Sequence, residues 1–407
     1  SRAEATPGDL DATFGTGGVV STTVGTTSSG RATVLQPDGK IVVAGVSNGF
    51  FLLLRYRPDG TLDADFGSGG IVTTPIGDSA TAAALVRQAD GKLVVAGTST
   101  SSGQPSFALV RYDDDGTPDA GFGSAGIVTT PLPGAAAYAL VQQADDKLVA
   151  AGTSNAGDGG EITLIRYTMN GSLDATFGTG GVVTTSLGSN PDVAYAVALQ
   201  PDQQIVACGR NSSGQFALAR YDTNGTLDAT FGTGGVSGTS AFGASCHALA
   251  LQSDGKIVGV GSGVMGGSFP SVIAAVVRVA GDGTLDPAFV TNQPLYYSSG
   301  VRIFASSFGQ SYQVPRAVTV DSAGRTIFAG VYAVNMFPGV PHVVYSYSFY
   351  AARLNADGTG DATFPLRSWP AASGFGGASA LLLHPDHKAV AVGTDSRVAV
   401  VRFLTGL

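Results

Sequence analysis

The chain is 407 residues long with a formal net charge of −8, an acidic balance that argues against nucleic acid as a partner. Only 13% of its residues are charged while 59 are glycine, a composition rich in turns and poor in surface charge. Apolar residues reach 43% but come in short runs such as Phe51–Leu54, far below the ~18–20 residues of a spanning helix, so no membrane span is expected.

In chain order, the first recognisable stretch is Leu10-Asp11-Ala12-Thr13-Phe14-Gly15-Thr16-Gly17-Gly18-Val19-Val20. It returns at Leu62, Leu173 and Leu227, with looser copies at Pro118, Leu285 and Gly360. Its aspartate falls at Asp11, Asp63, Asp119, Asp174, Asp228, Asp286 and Asp361, spacings of 52, 56, 55, 54, 58 and 75 residues. Such a period is too long for a helical solenoid unit and suits a four-stranded propeller blade.

The first full repeat predicts four strands. Strand A covers Ala32–Leu35, and the turn Gln36-Pro37-Asp38-Gly39-Lys40 leads into strand B, Lys40–Gly45. Strand C, Phe50–Tyr56, closes on Arg55-Tyr56; the Asp63 motif follows, and Gly70–Thr74 is strand D. Alternating apolar and small residues between Gly, Asp and Pro clusters mark these as strands, and no stretch keeps a helical period. Further copies of the A–B turn begin at Gln88, Gln143, Gln200, Gln252, Asp321 and His384. The closing arginine recurs as Arg111, Arg166, Arg220, Arg278, Arg353 and Arg402. The chain starts with a lone strand D, Gly18–Thr22, and ends with A, B and C alone. That strand is therefore expected beside Val398–Phe403, completing the last blade and covering a free edge. The expectation is an all-β, seven-bladed propeller of four-stranded antiparallel blades over residues 1–407, with insertions at 291–315 and 332–345 in the sixth blade.

Together, Gln-Pro-Asp-Gly-Lys-Ile-Val-Val-Ala-Gly, Arg-Tyr and Asp-Gly-Thr-Leu-Asp-Ala-Thr-Phe-Gly make a composite motif that resembles the delta-60 repeat family of bacterial β-propeller proteins. The resemblance implies a propeller in an exported or surface-associated bacterial protein, with no shared activity and no catalytic residues to carry over. Scarce lysine with abundant Gly, Ser and Thr points the same way, to an extracellular or cell-surface location. No signal peptide is visible, and with no Met at position 1 a leader upstream remains compatible.

A single site does not need seven copies, so the repeated Asp and Arg read as scaffold, one link per blade between strand C and the C–D connection. The five lysines, Lys40, Lys92, Lys147, Lys256 and Lys388, all follow the A–B turn and read as solubilising decoration. Asp113-Asp114-Asp115-Gly116 is the local version of a repeated turn, and Ca²⁺ is the one cofactor it suggests. Of the four histidines, His384 and His387 have ligand-like spacing but flank a turn far from the others, so no metal site is expected.

Function is sought where the copies differ. Strand direction puts the A–B and C–D turns on one face and the variable B–C and D–A loops on the other. The residue opening strand A varies as Arg31, Ala83, Tyr138, Tyr195, His247, Arg316 and Ser379, while its neighbours repeat. These positions are expected to ring the channel mouth on the variable face, either as a polar-ligand pocket or as filler. His342 and other aromatics of the sixth blade overlie that mouth, and Trp369 is a rim platform or a plug. Cys208 ends strand B of the fourth blade and Cys246 precedes strand A of the fifth, near the same face, as a disulfide or as two buried thiols. The reading is a monomeric binding protein for carbohydrate or peptide, using Arg31, Tyr138, Tyr195, His247, Arg316, His342 and Trp369. The alternative is an enzyme, a polysaccharide lyase or hydrolase, with Tyr138, Tyr195 or His247 as catalytic base and arginine neutralising a carboxylate.

Overall fold

The computed structural model describes residues 6–154, 160–188, 191–211, 213–239, 244–265, 271–289, 301–304, 311–335, 345–364, 366–370 and 376–406. They gather in two compact units. The terminal unit combines Ser1–Gly30, Pro58–Thr61 and Ser240–Leu407; the central unit combines Arg31–Arg57 and Leu62–Thr239. The first strand, β1 (Val19–Thr22), belongs to the terminal unit.

The central unit is four sheets of four strands, each ordered as its strands occur in the chain. The first holds β2 (Ser28–Leu35), β3 (Ile41–Ser47), β4 (Phe50–Tyr56) and β5 (Ile71–Thr74). The second holds β6 (Ser79–Arg87), β7 (Leu93–Ser101), β8 (Gln104–Tyr112) and β9 (Ile127–Pro131). The third holds β10 (Ala136–Gln142), β11 (Leu148–Ser154), β12 (Glu161–Tyr167) and β13 (Val182–Thr185). The fourth holds β14 (Val193–Leu199), β15 (Ile205–Arg210), β16 (Phe216–Tyr221) and β17 (Val236–Thr239). Second and third strands are buried on both faces, which is why they read as unbroken apolar runs. The core lies between successive sheets: Val95, Val110 and Tyr112 of the second sheet pack in one cluster with Val42, Phe51 and Leu53 of the first.

The terminal unit departs from this plan. It contains β18 (Ser245–Leu251), β19 (Ile257–Met265), β20 (Ser271–Val279) and β21 (Val301–Phe304). Next come β22 (Ser311–Val320), β23 (Thr326–Asn335), β24 (Tyr345–Leu354) and β25 (Arg367–Pro370). These eight strands form one sheet, joined by a parallel bridge from Val272 on β20 to Tyr312 on β22. The expectation of seven separate blades is therefore corrected: the structure has five four-stranded blades, not seven. The reason is a strand contact absent from the other blades: β20 extends past its short partner β21 and its Val272 pairs in parallel with Tyr312 of β22, making two repeats one sheet.

The last strands are β26 (Gly377–His384), β27 (Lys388–Thr394) and β28 (Val398–Leu404). Here the sequence expectation holds. β1 lies antiparallel to β28, from Val19 opposite Val401 to Thr22 opposite Val398, completing the fifth four-stranded blade.

The repeated Asp and Arg do form one link per repeat. In all seven, the arginine Nε donates to the aspartate Oδ2 at 2.6–2.8 Å. The same guanidinium carbon lies 4.4–5.1 Å from the centroid of the motif phenylalanine. A second guanidinium nitrogen donates to a carbonyl in the next repeat: Asp114, Met169 and Thr223 in the central unit, Ala356, Thr405 and Pro58 in the terminal unit. One side chain thus ties its own strand, its own motif and the following turn.

Candidate functional site

The positions singled out by their variability share a backbone feature. In β10, Ala137 pairs with Gly152 and Ala139 with Ala151, so Tyr138 is an extra, unpaired residue: a β-bulge. The same slip isolates Ala83 on β6, Tyr195 on β14, His247 on β18, Arg316 on β22 and Ser379 on β26. Arg31, the seventh, is exposed on β2. A bulge re-aims one side chain without disturbing its neighbours, which is why these residues vary while the flanking alanines repeat.

The bulge depends on a glycine across the ladder. A Cβ on Gly152 would stand 1.9 Å from the Ala136 carbonyl oxygen, and one on Gly209 would stand 1.7 Å from that of Val193. Gly97, Gly261, Gly330 and Gly393 face the same obstruction, at 2.1, 1.7, 2.0 and 1.9 Å. Only a residue without a side chain admits the displaced strand. The glycine ending each strand-B motif was therefore the available signal for a bulge; sequence reading noted the residue but not its cause.

In the central unit the bulges of β10 and β14 bring two candidates together. The Tyr138 and Tyr195 rings stand 5.2 Å apart, tilted by 56°. Tyr138 keeps 37% of its surface exposed, and Tyr195 is half-buried. Partial burial, and secondarily Tyr195, push the Tyr138 phenol above its ordinary pKa. A harder-to-ionise phenol suits hydrogen bonding and ring contact better than proton abstraction.

In the terminal unit the β18 and β22 bulges bring His247 beside Arg316. His247 Nδ1 stands 3.1 Å from the Pro315 carbonyl oxygen and Nε2 stands 2.9 Å from Ser245 Oγ. The carbonyl can only accept, so Nδ1 carries the proton and Nε2 accepts from the serine. Desolvation lowers the His247 pKa to about 4, with the Arg316 charge contributing and the Pro315 bond opposing. Both ring nitrogens are engaged within the protein and the ring is neutral near pH 7. Arg316 itself is exposed, and Ser379 is half-buried.

The remaining candidates are dispersed. Trp369, half-buried on β25, stacks on Phe403 at 4.9 Å and 28° and joins the core beside β28, so its ring is taken up in packing. His342 lies outside the described residues, as do Tyr296, Tyr297, Phe308 and Phe337. Cys208 and Cys246 are fully buried, and neither is a free thiol.

On the turn face the lysines are not decoration, and that expectation is corrected. Lys40 Nζ lies 3.1 Å from Asp63 Oδ2, and Lys92, Lys147, Lys256 and Lys388 meet their own motif aspartates at 3.0–3.3 Å. The lysine and arginine converge on one buried carboxylate, so the ammonium position is fixed by charge pairing. In the fourth repeat Gln204 Nε2 takes the lysine's place, 3.1 Å from Asp228 Oδ2. Burial would raise the Asp11 and Asp174 pKa values, yet hydrogen bonds from Thr13 and Thr176 with the paired cations hold both at about 2. In the acidic run, Asp113 pairs with Lys92, Asp114 accepts from Gln36 Nε2 at 2.6 Å and Asp115 accepts from Thr117. Each carboxylate has a protein partner, and no group of three or more metal-ligating side chains occurs among the described residues.

A family described as a β-propeller domain of unknown function (DUF5122) matches residues 36–66, 88–122, 143–177, 200–231, 252–289 and 342–364. Each segment ends at the motif phenylalanine, and the bulged first strands fall outside all six. The comparison with curated proteins gave no match. Among solved structures, catalytically inactive virginiamycin B lyase from Staphylococcus aureus with quinupristin aligns at TM-score 0.57 and 11% identity, covering 95% of this chain and 99% of that one. Selenomethionine-substituted virginiamycin B lyase from the same organism gives 0.56 and 11%, covering 95% and 98%. An α-L-arabinanase from Penicillium chrysogenum complexed with arabinobiose reaches 0.46 at 9% identity, covering 98% and 97%, and is too remote to carry an argument. At these identities the likeness concerns the fold alone.

Proposed function

The chain is a β-propeller repeat protein, and from that premise we propose that it binds a polar ligand, carbohydrate or peptide, through the bulged positions of its first strands. The observation that carries this reading is the coincidence of variability and bulging at Ala83, Tyr138, Tyr195, His247, Arg316 and Ser379. Residues needed only to hold the sheets together repeat from copy to copy, as the Arg–Asp links do. Residues aimed individually by a β-bulge, and different in each copy, suit recognition. Half-exposed Tyr138 offers a ring face and a hydroxyl, and exposed Arg31 and Arg316 offer charge-assisted donors. The motif as a whole supports a delta-60 repeat type, and the lysine-poor, Gly/Ser/Thr-rich composition supports an exported protein outside the cell or on its surface.

A glycan and peptide array probed with wild type and an Arg31→Ala/Arg316→Ala variant tests the reading. Binding by wild type that falls in the variant is the expected result. Undiminished binding by the variant rules out both arginines as ligand contacts.

A further inference from the structure

Within the central unit the turn face departs from its repeat between the third and fourth sheets. A cleft of about 430 Å³ opens there, a size within the range of small-ligand sites. Its walls include Asp145, Lys147, Thr176, Gln203, Thr223 and Asn224. The corresponding residues of the first and second repeats are Asp38, Lys40, Asp65, Gly91, Asp114 and Asp115. Two threonines and an asparagine thus stand where three aspartates would, and a glutamine replaces a glycine. Gln203 holds that position at φ +69°, where Gly39, Gly91 and Gly255 serve in other copies. A side chain is disfavoured at such a φ, so its presence calls for a reason. Gln203 Oε1 accepts the Ala144 N–H at 3.0 Å, linking the two sides of the cleft. Its Nε2 has no partner among the described residues. Asn224 Oδ1 accepts the Thr226 N–H at 2.9 Å, leaving Nδ2 likewise unpartnered, as is the Thr223 hydroxyl.

Charge narrows the ligand. Lys147 Nζ lies 2.9 Å from Asp145 Oδ2 and 3.3 Å from Asp174 Oδ2, and Arg166 Nε donates to Asp174 at 2.8 Å. The two cations are already matched by two carboxylates, so the cleft favours an uncharged ligand. Ala144 is the one apolar residue among those lining it, so it lacks the pockets that a peptide's side chains need. What it presents is two amide NH2 groups, a hydroxyl and the acceptor oxygens of Asp145. Neighbouring hydroxyls of a sugar donate and accept at once, and match that set. We infer that this cleft binds an uncharged saccharide through Gln203, Thr223 and Asn224. The site is distinct from the Tyr138 bulge, which lies towards the other end of β10 from the Gln143 turn, and it does not depend on ligand binding there.

The test is titration calorimetry with four neutral trisaccharides, maltotriose, cellotriose, mannotriose and galactotriose. Trigalacturonate serves as the charged counterpart and acetyl-triglycine amide as an uncharged peptide. The Gln203→Gly/Asn224→Asp variant takes the residues that the second repeat carries at Gly91 and Asp115, so the fold already accommodates both. Wild type is expected to bind at least one neutral trisaccharide more tightly than trigalacturonate or the peptide. The double variant is expected to bind it roughly 5- to 100-fold more weakly, the range of two neutral hydrogen bonds. Tyr138→Ala is expected to leave that affinity unchanged. Equal affinity in wild type and the double variant overturns the cleft assignment. Loss in Tyr138→Ala alone places the sugar at the bulge, which overturns this proposal and leaves the broader reading standing. Tighter binding of trigalacturonate or the peptide, lost in the double variant, overturns the uncharged-saccharide assignment. If none of the four neutral sugars binds, the proposal is overturned, and a ligand found on the array still preserves binding at the bulges.

Discussion

Arg166 and Asp174 show how one pair can organise a repeat: Nε meets Oδ2 at 2.8 Å with both side chains buried. Removing one partner of a buried pair strands the other charge, so Arg166→Leu is expected to cost about 3–5 kcal/mol, read from urea unfolding. Replacing the exposed Arg210 in the same way is expected to change little. The motif carboxylates also set an acid limit. Asp11, Asp119 and Asp174 sit at about 2 in the fold against 3.8 ordinarily, because hydrogen bonds and paired cations outweigh the effect of burial. Their contribution to stability is complete above pH 4 or so and is lost as pH falls toward 2. His247 loses stability earlier. Its folded pKa of about 4 lies below its ordinary 6.5, so protonation favours the unfolded chain as pH drops from 6.5 through 4. In His247→Asn that earlier loss is expected to disappear from the unfolding midpoint measured across this range. The recurrence of Asp and Arg made their pairing legible in the sequence. The lysine contribution was not, because a residue after a turn looks solvated until the buried carboxylate beneath it is placed.

At the level of the strand, each bulge is a two-part device, an odd residue on the first strand and a glycine on the second. Gly152→Ala forces a Cβ to within 1.9 Å of the Ala136 carbonyl, so the slip at Tyr138 has to be lost or the ladder has to open. The expected cost is about 1–3 kcal/mol or more, and ligand binding through Tyr138 is expected to fall with it. An alanine at Gly17, where nothing lies within 4 Å but φ is +61°, is expected to leave ligand binding unaltered. The sequence disclosed which residue varies and which glycine repeats. It did not disclose that the two face each other, since a one-residue slip leaves no mark on apolar periodicity over so short a strand.

For the molecule as a whole, regular spacing was a good guide where the copies are regular. Spacings of 52 to 56 residues correspond to the four separate blades of the central unit, and the complementary chain ends correspond to β1 beside β28. The long spacing of 75 before Asp361 marked where the plan changes, but not how: a parallel bridge between Val272 and Tyr312 joins two repeats into one sheet. Deleting residues through Thr22 is expected to expose the β28 edge and produce self-association, seen as a concentration-dependent mass in solution. Neither Cys208 nor Cys246 is a free thiol, which predicts that alkylation of the unfolded protein succeeds only after reduction. The central claim is that the bulged positions bind the ligand, and calorimetric titration of the array-identified ligand into wild type and Tyr138→Ala tests it most directly. With stability and the Arg–Asp links intact, a loss of roughly tenfold or more in the variant is expected. Equal affinity in both would contradict it.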